Sequence, residues 1–200
     1  MNLFCEPGCR HFIDRNNKRI CGPVASEALR CAAPDEPFGN AMFANGNLQL
    51  PVVFVTAYEA AAFCSWLGRR LPTEAQWDLV AYGTDGRKYP WGNTKAAPGQ
   101  VNGRYKGNPH PRLEPADDSR YQSGQTRDRV QQMLGNAAEW TSTLTDGYTS
   151  LGTWNGHSRV RALLVMGGSY LEEVQPSGAP NDSVPSAAVP QIGFRCVTTK

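Results

Sequence analysis

Two short helices are the most regular elements that the pattern of apolar and polar positions predicts. The first follows an apolar run at 51–55, Pro-Val-Val-Phe-Val, which is typical of a short buried strand. Thr56 and Glu59 then have the spacing of a capping box, in which each side chain accepts a hydrogen bond from the other residue's backbone amide. Gly68 is a typical residue for the end of this helix. Its core-facing stripe is expected to contain Ala60, Phe63, Cys64 and Leu67.

A second capping box predicts the next helix. Thr73 precedes Gln76 at the same spacing, and the apolar positions continue to about Tyr82 before Gly83 ends the helix. No period is evident from 84 to 129, where Gly, Pro, Asn and Asp dominate. A loop of this length inside a domain is usually functional or is held by an ion.

Further strands are predicted only toward the C-terminus. The apolar stretches at 160–166 and 192–197 have the length and composition of strands. The segment between them, 171–191, is polar and rich in proline, so we expect a loop there. Together with two short helices and much irregular chain, these strands indicate an α+β fold.

The composition supports one loop-rich domain. A chain of 200 residues is usually a single domain, and 20 glycines with 15 prolines indicate few long helices. We divide it into an irregular, Cys-rich extension at 1–49, packed on the same domain, and a main domain at 50–200. The net charge of +2 provides no basic surface for nucleic acid, and no apolar run is long enough for membrane insertion.

The six cysteines indicate an oxidising compartment. Cys5 and Cys9 have the spacing of a zinc-binding pair, and His11 would add a third ligand. Cys21 and Cys31, however, stand far apart in the sequence. We therefore favour structural disulfides over zinc ligation and over free thiols. Because the N-terminal residues do not form a signal peptide, we expect the chain to be the mature part of an exported protein, periplasmic or secreted.

The common catalytic motifs are absent from the sequence. It contains no nucleophile elbow of the type G-x-S-x-G, no phosphate-binding P-loop and no H-E-x-x-H zinc motif. Glu139, in the stretch 135–141, has two interpretations that spacing alone does not separate. It caps a backbone group in a turn, or it is the carboxylate of a calcium loop in which amide and carbonyl oxygens complete the coordination.

Five ordered segments resemble the motifs of the formylglycine-generating enzyme (sulfatase-modifying factor) family. They follow one another with matching spacing over about residues 50–198. The segments are Arg70–Trp77 for R-L-P-T-E-A-E-W, Tyr89–Asn93 for Y/F-P-W-G-N with Asn102 for the following Asn, Leu134–Thr141 for V-G-N-x-W-E-W-T, Val165–Tyr170 for R-G-G-S-W/Y and Gly193–Cys196 for G-F-R-C.

The resemblance implies a C-type-lectin-like α+β fold with much irregular backbone. It also implies a disulfide bond between Cys64 and Cys196, the cysteine of the closing motif. It further implies calcium loops, whose candidate ligands here are Glu139, Gln132, Asn136 and Asn102. Gln132 stands where the family has Asn, which weakens the site. Calcium is the one cofactor that we consider: either it binds with modest affinity, or hydrogen bonds alone hold this site and no ion is bound.

This sequence differs from the family pattern at the positions of the family's catalytic groups. Formylglycine-generating enzymes carry two cysteines shortly after G-G-S-Y, and these thiolates bind the copper ion that the oxidation requires. The matching positions here are Glu172 and Ser177, so we expect that activity to be absent. The ergothioneine-synthesis branch uses histidine-rich iron ligands from an added domain, and the three histidines of this sequence form no such cluster.

We therefore expect a non-catalytic binding protein. Exported family members without the cysteines include a periplasmic regulator in the pathway by which a membrane threonine kinase activates type VI secretion. The resemblance thus implies a protein partner, either the periplasmic part of that kinase or an outer-membrane lipoprotein. The candidate binding residues, around the cleft that the family uses for its substrate, are Tyr170, Glu172, Glu173 and Trp140.

Two other functions stay open. The protein is an enzyme with altered chemistry if Glu172, Glu173 or Glu139 acts as an acid or a base. It is a lectin-like display protein if the segment 171–191 presents variable residues, as related folds do between G-G-S and G-F-R. The simplest interpretation of Glu172 and Glu173 is a solvated acidic pair.

Overall fold

A four-stranded mixed sheet lies at the centre of the fold. The computed structural model describes residues 9–13, 19–23, 49–104, 112–148, 161–176 and 180–198. The elements in chain order are β1 (Cys9–Ile13), β2 (Arg19–Pro23), α1 (Ala57–Trp66), β3 (Arg69–Arg70), α2 (Glu74–Tyr82), a 3-10 helix (Ser119–Gly124), β4 (Ala138–Tyr148), β5 (Arg161–Met166), β6 (Asn181–Ser183), β7 (Ile192–Phe194) and β8 (Val197–Thr198).

The central sheet has the strand order β6-β5-β4-β7. Strand β4 pairs antiparallel with β5 and parallel with β7, and β5 pairs antiparallel with β6. Helices and mixed strands together confirm the predicted α+β class. Within the described parts of the chain, no helix is both long and apolar enough to cross a bilayer.

Both predicted helices are present, and both begin with the predicted capping box. The Glu59 amide donates to Thr56 Oγ1 at 3.2 Å, and the Thr56 amide donates to Glu59 Oε2 at 2.8 Å. Thr73 and Gln76 repeat this arrangement before α2, at 3.2 and 3.1 Å. Each cap binds an amide that the first helical turn leaves unpaired, which stabilises the fold by about 1 kcal/mol. These helix starts are therefore decided locally by the sequence.

The prediction of a strand at 51–55 is wrong. Phe54 has a φ of 61°, in the left-handed region, and this interrupts the extended backbone that strand pairing requires. The backbone of the segment bonds elsewhere, because the Phe54 amide donates to Val189 O at 3.1 Å and Val55 O accepts from Trp140 Nε1 at 2.9 Å. Val55 is buried. The apolar run therefore marks burial without regular structure.

A β-hairpin corrects the prediction that 1–49 is irregular throughout. Strands β1 and β2 pair antiparallel, with His11 opposite Cys21. The pairing of the N-terminal cysteines stays a prediction, since two of them lie outside the described residues, Cys5 and Cys31. Strand β2 contacts α1, whereas the domain boundary before residue 50 stays a prediction.

The sequence pattern does not predict β4, the central strand. Its first four residues, Ala138–Thr141, are all buried, so polar and apolar positions do not alternate. Register shifts between Trp140 and Leu144, and between Leu144 and Tyr148, disrupt the period further. The interpretation of Glu139 as a residue of a turn is therefore wrong, because it lies within a strand.

Two other elements differ from their predictions. Strand β6 lies inside the stretch 171–191, which is expected to be a loop, because its polar residues occupy an edge of the sheet. The run at 192–197 forms two strands, of which β7 pairs with β4 and β8 pairs with β3. Strand β5 lies where the strand at 160–166 is predicted.

Two hydrophobic cores flank the central sheet. The first contains α1 and consists of Ala57, Ala60, Cys64, Leu71, Ala138, Trp140, Val165 and Ile192. The second contains α2 and consists of Trp77, Ala81, Tyr89, Val101, Met133, Leu134 and Met166. Successive residues of β5 enter different cores, as the pleat of a strand requires. Cys64 bonds to Cys196, as the resemblance implies, and so links α1 to the chain between β7 and β8.

Loss of the bond between Cys64 and Cys196 is expected to destabilise the fold strongly. The two cysteines are 132 residues apart, so the bond restricts a long loop of the unfolded chain, and its loss should cost about 2–5 kcal/mol. Urea unfolding of Cys64→Ala, Cys196→Ala and the double variant measures this cost. All three should lose the same stability, because either single change removes the bond. Clearly additive losses, or a Cys64 that reacts as a free thiol in the denatured, unreduced protein, would contradict the prediction.

Candidate functional site

The loop after β5 forms a small cleft, which we call the Glu172 cleft. Gly167 and Gly168 have φ values of 88° and 64° and turn the chain away from the sheet. A Cβ atom at Gly167 would lie 2.8 Å from the Met133 carbonyl oxygen and 3.0 Å from the Trp77 ring, so only glycine fits. The cleft has a volume of about 130 Å³ and is lined by Leu134, Gly135, Gly167, Gly168, Ser169, Glu172, Glu173, Val174, Gln175 and Asn181.

Glu172 is held in a defined orientation in this cleft. Its Oε1 accepts a hydrogen bond from Ser169 Oγ at 3.1 Å, and its Oε2 accepts one from Asn181 Nδ2 at 3.1 Å. Its carbonyl oxygen accepts from the Arg104 amide at 2.9 Å, which ties the loop to the chain before β4. Among the residues that the structure describes, neither side-chain donor to Glu172 is charged, so these bonds orient the carboxylate without neutralising it.

The other predicted residues of this region occupy different environments. Glu173 is exposed and lines the same cleft, whereas Glu172 is half-buried and bonded, so the interpretation as a solvated pair holds for Glu173 alone. Tyr170 is half-buried, and its amide donates to Asn136 O at 2.9 Å. Ser177, the second position that matches a catalytic cysteine, lies outside the described residues.

Trp140 is a core residue. It is completely buried in the first core, and its indole Nε1 donates to Val55 O at 2.9 Å. A buried Trp whose N–H has a partner stabilises the interior and offers no surface to a second protein. The prediction that Trp140 contributes to the binding surface is therefore wrong.

Glu139, which is buried, forms an ion pair with Arg195, whose side chain is 27% exposed. Arg195 Nε donates to Glu139 Oε2 at 2.5 Å, Arg195 Nη2 donates to Oε1 at 2.6 Å, and Trp77 Nε1 donates to Oε2 at 2.8 Å. Burial opposes the charge of Arg195, but the negative charge and hydrogen bonds of Glu139 outweigh it, so the pKa of Arg195 is raised. The guanidinium therefore stays charged against this carboxylate.

The remaining candidate calcium ligands belong to a network of hydrogen bonds. Asn136 Oδ1 accepts from Asn102 Nδ2 and from the Glu114 amide, both at 2.9 Å. Asn136 Nδ2 donates to Glu114 O at 2.9 Å. Gln132 Nε2 donates to Pro115 O at 2.6 Å. These bonds fasten the chain around Glu114 to the loop that precedes β4.

The four candidate ligands do not fit a calcium ion in this arrangement. Calcium takes about six to eight oxygen ligands. Both carboxylate oxygens of Glu139 bind protein donors, and Asn136 Oδ1 already accepts two hydrogen bonds. The guanidinium of Arg195 also places a positive charge where a second cation would have to bind. The fold thus brings the predicted residues into one region but pairs them with one another and with protein groups. Calcium binding itself stays a prediction.

A second cleft, which we call the Arg195 cleft, lies beside the ion pair. It has a volume of about 320 Å³ and is lined by Pro51, Ala116, Val130, Gln131, Gln132, Asn136, Ala137, Glu139, Phe194 and Arg195. Within the described residues, the buried Oε1 atoms of Gln131 and Gln132 have no hydrogen-bond partner.

Three residues of these sites are not predicted from the sequence. Arg195 stands in the closing motif, and the need of a buried acid for a cation is the signal that could have identified it. Ser169 stands in the Gly-Gly-Ser motif, where its hydroxyl is the only side-chain donor. Asn181 gives no signal in the sequence, because only the pairing of β6 with β5 brings it to Glu172.

Comparison with known proteins identifies the family. The family described as "Sulfatase-modifying factor enzyme 1-like domain" matches residues 10–200. "Inactive C-alpha-formylglycine-generating enzyme 2" of Mus musculus is 30% identical over 182 residues, which cover 82% of this chain and 54% of that protein. "Formylglycine-generating enzyme" of Mus musculus is 28% identical over 73% of this chain and 43% of that protein. "Hercynine oxygenase" of Mycolicibacterium thermoresistibile is 38% identical over 97 residues, 46% of this chain and 21% of that protein.

Solved structures show the same fold. PvdO from Pseudomonas aeruginosa has a TM-score of 0.58 at 16% identity, over 92% of this chain and 69% of that chain. CarF has a TM-score of 0.51 at 21% identity, over 83% of this chain and 70% of that chain. The chain spans about half the length, or less, of the curated relatives named above. The resemblance and the predicted fold are confirmed, and the chain belongs to the sulfatase-modifying factor enzyme 1-like family.

Proposed function

We propose that this protein is a non-catalytic binding protein, a periplasmic regulator that acts upstream of a membrane threonine kinase which activates type VI secretion. The observation that carries the proposal is the state of Glu172. It stands where the family resemblance has a copper-binding cysteine, and Ser169 and Asn181 hold its carboxylate in place. A carboxylate is a hard ligand that does not replace a thiolate at Cu(I). One relative, at 30% identity, is itself named inactive.

The size and charge of the Glu172 cleft support a protein partner. Its volume of about 130 Å³ is below the roughly 300–1,000 Å³ that pockets for small molecules occupy. A cleft of this size accommodates the end of one side chain. Since Glu172 and Glu173 line it, a Lys or Arg of the partner is the complementary group.

The cysteines support the compartment in this proposal, and the pathway rests on the family resemblance alone. A chain with six cysteines and a bond between Cys64 and Cys196 suits an oxidising compartment such as the periplasm. The partner is then the periplasmic part of the kinase or an outer-membrane lipoprotein of the same pathway. The protein would then be a regulator of the same type as TagR, the periplasmic regulator of that pathway.

An enzyme with altered chemistry is the second candidate function. The similarity to hercynine oxygenase, 38% identity over 97 residues, favours it. Glu172 is then the preferred acid or base, because both oxygens of Glu139 bind Arg195 or Trp77. Genomic neighbourhood separates the two functions: secretion and kinase genes support a regulator, whereas a biosynthetic cluster supports an enzyme.

Copper binding tests the loss of the family chemistry. We expect the protein neither to bind Cu(I) stoichiometrically nor to convert a Cys-containing sulfatase peptide, because Glu172 and Ser177 supply no thiolate. Competition with a Cu(I) chelator measures the affinity. The matched variant Glu172→Cys/Ser177→Cys restores two thiols and should bind Cu(I) more tightly. Stoichiometric Cu(I) binding by the unaltered chain, dependent on residues 170–178, would refute the prediction.

Charge removal at the Glu172 cleft tests partner binding. Glu173→Lys combined with Glu172→Gln should weaken capture of the kinase's periplasmic part or the lipoprotein, because both changes remove negative charge from the cleft. A pull-down from periplasm and membranes at several salt concentrations measures this. Glu173→Lys alone should leave stability within about 0.5 kcal/mol, as expected of an exposed position.

A matched control separates local from general charge effects. Asp117→Lys combined with Asp128→Asn makes the same change in net charge as the cleft variant, at two exposed acids outside the cleft lining, and should leave capture unchanged. Equal capture by the folded cleft variant and the unaltered protein would remove the Glu172 cleft from the proposal. The Cys-rich residues 1–49 would then be the next candidate surface.

A further inference from the structure

The Glu139–Arg195 pair lies in the region to which the family resemblance assigns calcium. We propose that Arg195 is the resident cation of this region and neutralises Glu139 in place of a calcium ion, so that the folded protein is insensitive to calcium. A carboxylate in the interior must be neutralised by a cation or by several donors. In this chain Arg195, from the closing Gly-Phe-Arg-Cys motif, supplies the cation.

The geometry of the pair is complete without an ion. Arg195 binds Glu139 through two parallel hydrogen bonds, Nε to Oε2 at 2.5 Å and Nη2 to Oε1 at 2.6 Å. This fork is the strongest arrangement that a guanidinium and a carboxylate form. Trp77 Nε1 adds a third donor to Oε2 at 2.8 Å. A calcium ion would have to displace these donors to reach the carboxylate.

The Arg195 guanidinium also contacts two backbone carbonyl oxygens. Arg195 Nη2 lies 3.4 Å from each of the carbonyl oxygens of Gln131 and Gln132. Carbonyl oxygens and carboxylates are the ligands that calcium prefers. One permanently charged side chain therefore contacts a carboxylate and two carbonyl oxygens, which are oxygen types that a calcium ion also binds.

The Arg195 cleft contains further oxygen atoms that no donor satisfies. Gln131 Oε1 and Gln132 Oε1 are buried and lack hydrogen-bond partners within the described residues, and both side chains line this cleft with Glu139. Removal of the guanidinium would leave the Glu139 carboxylate and the carbonyl oxygens of Gln131 and Gln132 without this donor, next to a cleft that the two Gln side chains also line. That set of oxygens has the composition of a calcium site. We therefore expect loss of the Arg195 guanidinium to create a calcium site here.

The test compares variants of Arg195 in the full chain. Melting temperature is measured in EGTA, in millimolar magnesium and in millimolar calcium. The unaltered protein should melt at the same temperature in all three. Arg195→Gln should melt several degrees lower in EGTA and recover part of the loss in calcium alone. Arg195→Lys retains the positive charge and should show no calcium response.

Controls connect the response to Glu139. Arg195→Gln/Glu139→Gln lacks the carboxylate and should not respond to calcium. Lys95→Gln, at an exposed position outside the lining of the Arg195 cleft, should change neither the melting temperature in EGTA nor its dependence on calcium.

Two outcomes overturn the proposal. One is a calcium-dependent rise in the melting temperature of the unaltered protein, or stoichiometric binding by calorimetry. The other is a folded Arg195→Gln variant that does not respond to calcium. If Arg195→Gln folds in calcium and not in EGTA, the proposal is supported. If it folds in neither, calorimetry on the unaltered protein decides, because the proposal requires that calcium produce no binding heat.

Discussion

Glu139 carries a negative charge into a strand whose neighbouring residues are all buried, and its ion pair with Arg195 makes this placement tolerable. Loss of one partner of a fully buried pair typically costs about 3–5 kcal/mol, and the partial exposure of Arg195 places the cost for this pair below that range. Trp77, in α2, donates a hydrogen bond from its indole Nε1 to the same carboxylate. The pair therefore fixes the central strand, the second helix and the closing segment relative to one another, and the neighbouring loops pack on this framework.

The Glu172 cleft depends on that framework through the loop before β4. The Gly135 amide donates to Gly167 O at 2.9 Å, and the Tyr170 amide donates to Asn136 O at 2.9 Å. Gly135 has a φ of 73°, and a Cβ there would collide with the carbonyl oxygen of Asn102, so the close approach of these loops requires glycine. The cleft is thus formed by irregular chain that is held on both sides by backbone hydrogen bonds, a common arrangement for binding loops on a rigid scaffold.

The sequence predicts the elements whose signals are local. The capping boxes at Thr56 and Thr73 determine where the helices begin, because each box is complete within four residues. Strand β4 escapes prediction because both of its faces are buried and its register shifts, so no alternation remains. The hydrogen-bond partners of Glu139 and Glu172 are also not predicted, because they are distant from these residues in the sequence. Arg195 is 56 residues away from Glu139, and Asn181 reaches Glu172 only through sheet pairing.

The two acidic sites differ in how their charge is compensated, and this difference bears on function. Glu139 faces a permanently charged guanidinium, so little of its charge is available to any other molecule. Glu172 is oriented by a hydroxyl and an amide, which hold the carboxylate still but leave its charge in place. Orienting a charged group in advance lowers the entropy that a partner's binding must overcome. A cation offered by a second protein would therefore gain more at Glu172 than at Glu139, and this contrast is the physical reason to test the proposed partner at the Glu172 cleft.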